Sequence, residues 1–509
     1  MSSHREVERK LRVHGLFDLP DLVATGVAPQ IDPHEPFTMQ ATYHDTASLT
    51  LFRWGITLRR REGGADEGWH MKLPVAGADG STRDEMRLPL SAGPIGSVPG
   101  EFVHVISPLL REQALIPVVT LSTRRAPTIL IDETGEPRVE LVDDVVSIIR
   151  DGQMVSAFRE LEIEALDSED DTALTMIERA ADILLAHGAE PSSMSKAASA
   201  LGPRTQEPPD VPELAPPGPD GLAVDAIRSV FSQHVRHLLM ADVAVRRNLP
   251  DSVHQMRVSA RRLRSSLATF APLLDPEEAD YLKDELRWLA SELGAIRDTE
   301  VMIERLDLHA QALEVPADQH LARTALDTLL GRRLTAARSS AIAALRSDRH
   351  QQLVDDLMSA AIEPPVTDLA FVPCDEALIP LVARTWRRLT RAIDGLELDG
   401  PSVTWHLARI KAKRARYAAD SVAPIFGKHV EKLAEDLAVV TDLLGEHQDA
   451  HVAQGIIREV AMHGDTDGAT GLALGLLYEY ESDEEIRDRF RFMEFWPRAI
   501  RTARKAGLS

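Results

Sequence analysis

Arg159-Glu160-Leu161-Glu162-Ile163-Glu164-Ala165 alternates charged with apolar side chains at every step. A period of two is the signature of a β-strand, because successive side chains point to opposite faces. This strand therefore has a greasy side, Leu161, Ile163 and Ala165, and a side bearing three carboxylates. One such solvated face is ordinary. The mixture recurs, however: Glu6, Glu8 and Lys10 share a face, as do Arg59 and Arg61, and again Arg83, Glu85 and Arg87. Segments of this texture at 6–13, 55–61, 69–73, 83–90, 137–149 and 156–166 are separated by turns bearing glycine or proline, and a helix is expected over 168–187. If the sheet closes into a barrel, a lumen lined by carboxylates and guanidinium groups becomes a site for a metal and a polyanion. Carboxylate oxygens suit Mg²⁺ or Mn²⁺, while Arg and Lys take up phosphate oxygens.

Residues 202–221 hold seven prolines and little to bury, which reads as a semi-extended linker. Beyond it the hydrophobic period becomes helical, in segments 223–247, 252–273, 279–293 and 377–395. The expected fold class is α+β and multidomain, with a strand-rich domain over 1–201 and an all-helical region over 222–509. The composition, 44% hydrophobic and 27% charged over 509 residues, is that of a globular protein. A lone Cys374 excludes an intramolecular disulfide and a cysteine-cluster zinc site. The first residues carry no apolar signal core, and no run approaches about 18 apolar residues. A cytoplasmic protein without a membrane partner is expected. The net charge of −23 argues against nonspecific binding to nucleic acid, and 5% aromatic content supplies few platforms for stacking bases.

The helical region contains a repeat. His254, Arg257, Arg261, Arg262 and Arg264 recur at a displacement of 152 as His406, Arg409, Lys413, Arg414 and Arg416. Leu293-Gly294 with Asp298 recurs at a displacement of 151 as Leu444-Gly445 with Asp449, and this Leu-Gly-x-x-x-Asp pattern is expected to form a turn. Two matched pairs at nearly one displacement imply duplicated helical units, with halves over about 222–365 and 374–509. On a helix, positions 0, 3, 7 and 10 fall within roughly 80°, so each copy forms one basic stripe. Neither stripe segment contains an acid. Two such stripes favour anion binding, since arginine forks match phosphate oxygens. Ser259 stands where the second copy has Lys411, so the stripes are not identical. His447 and His451 have the i,i+4 spacing of a zinc pair, but the first copy carries Ile296 and Glu300 there, and core or surface histidines are expected.

The N-terminal motifs resemble those of the CYTH, or triphosphate tunnel metalloenzyme, superfamily. Glu6-Val7-Glu8-Arg9-Lys10 matches its ExExK signature. Tyr43-His44-Asp45-Thr46 with Arg59 and Arg61, Lys72, Arg83-Asp84-Glu85, Arg124-Arg125, Asp144, Glu162-Ile163-Glu164 and Ser195-Lys196 follow in the family's order. Glu160 leaves open which two of three alternating glutamates match, and Arg125 is preferred to Arg124. The resemblance implies an eight-stranded antiparallel tunnel that takes triphosphate-like substrates with a divalent cation, Mg²⁺ or Mn²⁺. It implies Glu6, Glu8, Asp144, Glu162 and Glu164 as metal ligands. It implies Lys10, Arg59, Arg61, Lys72, Arg83, Arg125 and Lys196 as the phosphate grip.

The helical region resembles the CHAD domain, a conserved-histidine α-helical domain, in both stripes and in the Leu-Gly-x-x-x-Asp pattern. That resemblance implies two four-helix bundles related by a pseudo-twofold axis and binding of inorganic polyphosphate. The contacts carried over are His254, Arg257, Arg261, Arg262 and Arg264 in one half. In the other they are His406, Arg409, Lys411, Lys413, Arg414 and Arg416. His234, Arg236, Arg387, Arg388 and Arg391 are weaker candidates. The expected function is metal-dependent hydrolysis of tripolyphosphate or another triphosphate. A polyphosphate-binding protein without turnover, and a nucleotide cyclase using the same tunnel, are the alternatives.

Overall fold

The computed structural model describes residues 8–75, 83–150, 152–167, 170–192, 194–462 and 466–508. The chain forms two compact units, Met1–Asp210 and Val211–Ser509.

The first unit runs β1 (Glu8–Val13), β2 (Gln30–Pro33), β3 (Phe37–Asp45), α1 (Thr50–Arg53), β4 (Thr57–Glu62), β5 (Gly68–Pro74), β6 (Arg83–Leu88), α2 (Gly100–Leu110), β7 (Ile116–Ile131), β8 (Pro137–Arg150), β9 (Gln153–Ala165), α3 (Asp171–Ala186), β10 (Glu190–Pro191) and α4 (Lys196–Leu201). The strands make one antiparallel sheet in the order β10-β1-β9-β8-β7-β3-β4-β5-β6, with β2 also on β7. Among the described residues the sheet therefore has ten strands, not the expected eight. Nine lie on the continuous path, where the short β10 extends the edge beyond β1, and the short β2 pairs with β7 off that path. Among the described residues no pairing joins β6 to β1 or β10, so curling of the sheet, not a closed ladder, makes its concave face.

Alternation decides which face is which. Leu11, Val13, Leu161 and Ile163 pack with α3 residues Ala173, Ile177, Ala180 and Leu184 in one core. Glu8, Lys10, Glu162 and Glu164 consequently turn inward. Burying the apolar set against a helix locks this register, because a one-residue slip would carry the charges into the core. A second core, with Ala41, Tyr43, Leu121 and Val146, takes up Ala197 and Ala200 of α4. β7 exchanges partners along its length: residues 116–125 pair with β3, and 128–131 pair with β2. Pro127, which has no N–H to donate, sits at the exchange.

In the second unit the order is α5 (Ala223–Arg246), α6 (Ser252–Thr269), α7 (Pro276–Gln311), α8 (Pro316–Leu345), α9 (Asp348–Ile362), α10 (Cys374–Ile393), α11 (Ser402–Phe426), α12 (Lys428–Ala461) and α13 (Gly468–Lys505). The first half has five helices because Arg346-Ser347 interrupts what the second half keeps as one long helix, and Ser347 caps α9. A local twofold is visible where the halves meet. Ala223 N donates to Val372 O at 2.9 Å, and Cys374 N donates to Gly221 O at 2.8 Å. These bonds are reciprocal under the displacement of 151, as a twofold requires. The two bundles are not self-contained. Met302 and Leu306 of α7, Leu326 of α8, Ile457 of α12 and Leu474 of α13 share one core.

The proline-rich segment is anchored. Pro203–Gln206 form a 3₁₀ turn, and Arg53 holds Pro208 O and Asp210 at 2.7 Å each. Val211 is fully buried, with its carbonyl accepting from Arg236 at 2.7 Å. No helix among the described residues is long and apolar enough to cross a membrane.

Candidate functional site

The concave face of the sheet encloses a cavity of about 1800 Å³. Glu8, Lys10, Arg59, Arg61, Lys72, Arg83, Arg125, Asp144, Glu162, Glu164 and Lys196 all line it. Residues from β1, β4–β9 and α4 thus reach one space although nearly 190 positions separate the first from the last. Glu6 lies outside the described residues. Arg124 is exposed on the opposite face of β7, and Arg125 faces inward.

Strand register explains the convergence. Lys10 stands opposite Glu162, and Glu8 opposite Glu164. Arg125 stands opposite Asp144 and clasps it with two bonds at 3.0 and 2.7 Å, its Nη2 also reaching Glu162 at 3.0 Å. Lys196, the first residue of α4, contacts Glu162 at 2.6 Å, Asp144 at 2.9 Å and, more loosely, Glu160 at 3.4 Å. Lys10 meets Glu8 at 2.7 Å. Burial would raise the Glu162 carboxyl, but Lys196, Lys10 and Arg125 outweigh it and hold it at about 2. Glu160 is fully buried behind this cluster, and burial pushes its carboxyl up.

Across the cavity the cations predominate. Arg61 is held by Asp66 at 2.5 Å. Arg59 is bound to Tyr43; burial would raise that phenol, yet the Arg59 charge brings it below its ordinary value. Glu85 takes His70 Nδ1 at 3.0 Å and Arg87 Nε at 2.8 Å. Arg83, exposed at the rim, donates to Gly55 O at 3.1 Å. The Nε groups of Arg59 and Arg61 are buried with no hydrogen-bond partner. A buried cationic N–H left unpaired is costly, and phosphate oxygens would satisfy it.

The acidic wall suits a hard divalent cation. Glu8, Glu164 and Glu140 stand in register across β1, β9 and β8, and like charges directly opposite one another repel. As the side chains stand, no three acid or histidine groups among the described residues converge on one point. Lys10, Arg125 and Lys196 hold the carboxylates instead. Tyr43 and Glu140 received no role from sequence. Glu140 lies four residues before Asp144, so the period of two already placed it on the same face.

The helical unit brings its two stripes together. Arg261 of α6 feels Arg409 and Tyr417 of α11, and Arg264 feels Arg414. Burial first, then Arg409, Arg261 and Arg257 against Asp449, push the Lys413 amine down to about 7. The Nε groups of Arg261, Arg262 and Arg409 are buried without hydrogen-bond partners, and that of Arg416 has only Asp420, 3.8 Å away. His406 Nδ1 bonds Gln448 at 2.7 Å, and Arg416 donates to Thr441 Oγ1 at 2.8 Å. Burial, then Arg297, lowers His254. Lys411 is half-buried and Arg414 exposed. Of the weaker candidates, His234 is buried beside Arg262 and brought down to about 3, chiefly by burial. Arg236 holds the Val211 carbonyl, and Arg387, Arg388 and Arg391 lie exposed on α10. His447 is buried against Trp405 and accepts from Arg489 Nε at 3.1 Å, while His451 is exposed.

The Leu-Gly-x-x-x-Asp pattern is not a turn. It lies inside α7 and α12. Asp298 holds Arg257 at 2.7 Å, and Asp449 lies 3.8 Å from Arg409. The glycine gives the guanidinium room: a Cβ would stand 3.8 Å from Arg257 at Gly294 and 3.6 Å from Arg409 at Gly445. These are ordinary contacts, so Gly294→Ala and Gly445→Ala are each expected to stabilise the fold by about 0.5–1 kcal/mol and keep anion binding. Leucine at either position should displace the arginine and weaken binding. Thermal melting and calorimetric titration with polyphosphate would check both.

A curled antiparallel sheet with this face, followed by duplicated helices, is the architecture of a triphosphate-tunnel protein carrying a second, helical domain. The CYTH domain model matches residues 4–197 and the CHAD domain model matches 229–458. Over 523 aligned residues the chain is 32% identical to the uncharacterized protein Rv2226 of Mycobacterium tuberculosis, covering 99% of this chain and 98% of that protein. The chain belongs to the family of two-domain CYTH–CHAD proteins. Among solved structures, PptA from Streptomyces chartreusis is 26% identical, covering 54% of this chain and all of that one, with a TM-score of 0.49. The CHAD domain from the plant Ricinus communis is 24% identical, covering 56% and 94%, with a TM-score of 0.47.

Proposed function

We propose that the chain is a divalent-metal-dependent phosphohydrolase acting on tripolyphosphate or another triphosphate, and that its helical unit binds inorganic polyphosphate. One observation carries both parts: buried guanidinium Nε groups stand without hydrogen-bond partners in the cavity, at Arg59 and Arg61, and along the stripes, at Arg261, Arg262 and Arg409. In the cavity, incoming phosphate oxygens compete for Lys10, Arg125 and Lys196. That competition leaves Glu8, Asp144, Glu162 and Glu164 as oxygen donors for Mg²⁺ or Mn²⁺. The metal, when bound, would neutralise charge on the transferred phosphoryl group and orient water. Arg59 and Arg61 hold the chain from the opposite wall, with Tyr43 and Asp66 fixing their directions. Lys72 and Arg83 extend the grip toward the rim.

Product analysis distinguishes the chemistries the site could run. With ATP and Mn²⁺ or Mg²⁺, hydrolysis yields ADP and phosphate, whereas cyclisation yields pyrophosphate and a cyclic nucleotide. The hydrolytic pair is expected, and the cyclic product would overturn the reading.

For the helical unit, Lys413 makes binding depend on pH. Its amine sits near 7 in the free protein, and a bound polyanion among Arg257, Arg261 and Arg409 would raise it. Below pH 7 the free amine is already protonated, so affinity is fully present. Above pH 7 a proton must be taken up on binding, so affinity falls with rising pH, at most about tenfold per unit. Calorimetry from pH 6 to 9 should show this slope in the native chain and its loss in Lys413→Arg.

A further inference from the structure

The first turns of α12 and the last turns of α13 enclose a separate pocket of about 360 Å³, at the small end of the roughly 300–1,000 Å³ typical of ligand sites. Its lining is His429, Lys432, Arg498, Arg501, Thr502 and Lys505. No acid lines it. We propose that this pocket is a second phosphate-class anion site, independent of the two stripes, sized for a compact phosphoanion such as pyrophosphate.

The cations are braced from below. Asp436, 1% exposed, accepts from Thr502 Oγ1 at 2.6 Å and lies 3.2 Å from Arg498 Nε and 3.7 Å from Lys432 Nζ. Arg498 also stands over the Phe495 ring, 5.4 Å from its centroid. Lys432 has a second acid in Glu435. Arg501 and Lys505 have no carboxylate partner among the described residues, so the pocket carries positive charge that the fold leaves unmatched. Cations facing a concave space, two of them braced by one buried aspartate, are what phosphate recognition uses.

Two further features separate this pocket from the stripes. Along α12 the stripe contacts fall at Thr441, Asp442 and Asp449. Nine residues of helix put Lys432 roughly 14 Å from the nearest of them. The pocket is also absent from the repeated design: at the displacement of 151 that relates α7 to α12, His429 and Lys432 correspond to Glu278 and Tyr281 of α7. Duplication therefore does not account for the basic character here. After Glu494 the chain carries Arg498, Arg501, Arg504 and Lys505 and no acid, in a protein of net charge −23.

Lysine footprinting on the full chain tests the site. Arg257→Ala with Arg409→Ala disables the stripes without setting a new carboxylate against Asp298 of α7 or Asp449 of α12. In that background, labelling of Lys432 and Lys505 by an amine-acylating reagent is followed by mass spectrometry with and without pyrophosphate. Several-fold protection of both lysines is expected, with Lys428 unaffected. Adding Arg501→Glu, at an exposed position whose loss should leave the melting temperature unchanged, should abolish the protection. Three results would overturn the proposal: no protection by millimolar pyrophosphate, equal protection by sodium chloride of the same ionic strength, or protection only by long-chain polyphosphate that vanishes when the stripes are disabled.

Discussion

Arg59→Ala is expected to lower kcat/KM for metal-dependent hydrolysis of tripolyphosphate by about 10²–10³-fold, the usual cost of removing one preorganised donor from a site of charge development. The guanidinium is buried, its Nε has no partner, and Tyr43 fixes its direction. Asp66 and Glu85 would not be stranded, since Asp66 keeps Arg61 and Glu85 keeps His70 and Arg87. Melting should therefore change little while activity collapses. Arg59→Lys should recover part of the rate, because a point charge replaces a fork. Tyr43→Phe should raise KM more than it lowers kcat, as expected of a group that orients Arg59. On the opposite wall, Glu8→Ala and Lys10→Ala should each abolish turnover. Glu8 is expected to act by supplying an oxygen donor, and Lys10 by gripping phosphate. An Arg59→Ala enzyme with native kcat/KM would remove the cavity from the account.

Combining Arg257→Glu with Arg409→Glu is expected to weaken polyphosphate binding by at least about 10³-fold. Each charge-assisted contact contributes roughly 2 kcal/mol, and reversal adds repulsion. The pair is chosen because the repeat relates them and because each is held by the equivalent aspartate, Asp298 or Asp449. Glutamate beside those aspartates disturbs α7 and α12, so Arg257→Ala with Arg409→Ala provides the gentler comparison. Calorimetry of both pairs at two salt concentrations checks the assignment. Unchanged affinity in the alanine pair would reject the stripes as the binding surface, whereas a reduced salt dependence would support them.

Much of the fold and of the candidate site is legible in the amino-acid sequence. The alternation at 159–165 identifies an inward face of carboxylates, and the register places Glu162 against Lys10 on that face. The repeated stripes are visible because charge on a helix has its own period. Other features are hidden for physical reasons. β7 reads poorly as a strand because Pro117 and Pro127 interrupt it, and only its exchange of partners from β3 to β2 makes the second proline tolerable. The strand count comes out at ten because β2 and β10, four and two residues long, are held by pairing, a tertiary effect without local pattern. Gly294 and Gly445 suggest a turn, but each lies inside a helix where an arginine crosses closely. Spacing alone cannot distinguish a glycine that bends the chain from one that clears space. Nor can it reveal that Lys196 stands among Asp144, Glu160 and Glu162.

The most direct measurement is phosphate release from tripolyphosphate by the full chain, with Mg²⁺ or Mn²⁺ and again with excess chelator. Turnover that requires the metal and disappears with chelator is the predicted result. No release with either metal, alongside tight binding of polyphosphate, would contradict the enzymatic reading and leave a protein that only holds the anion.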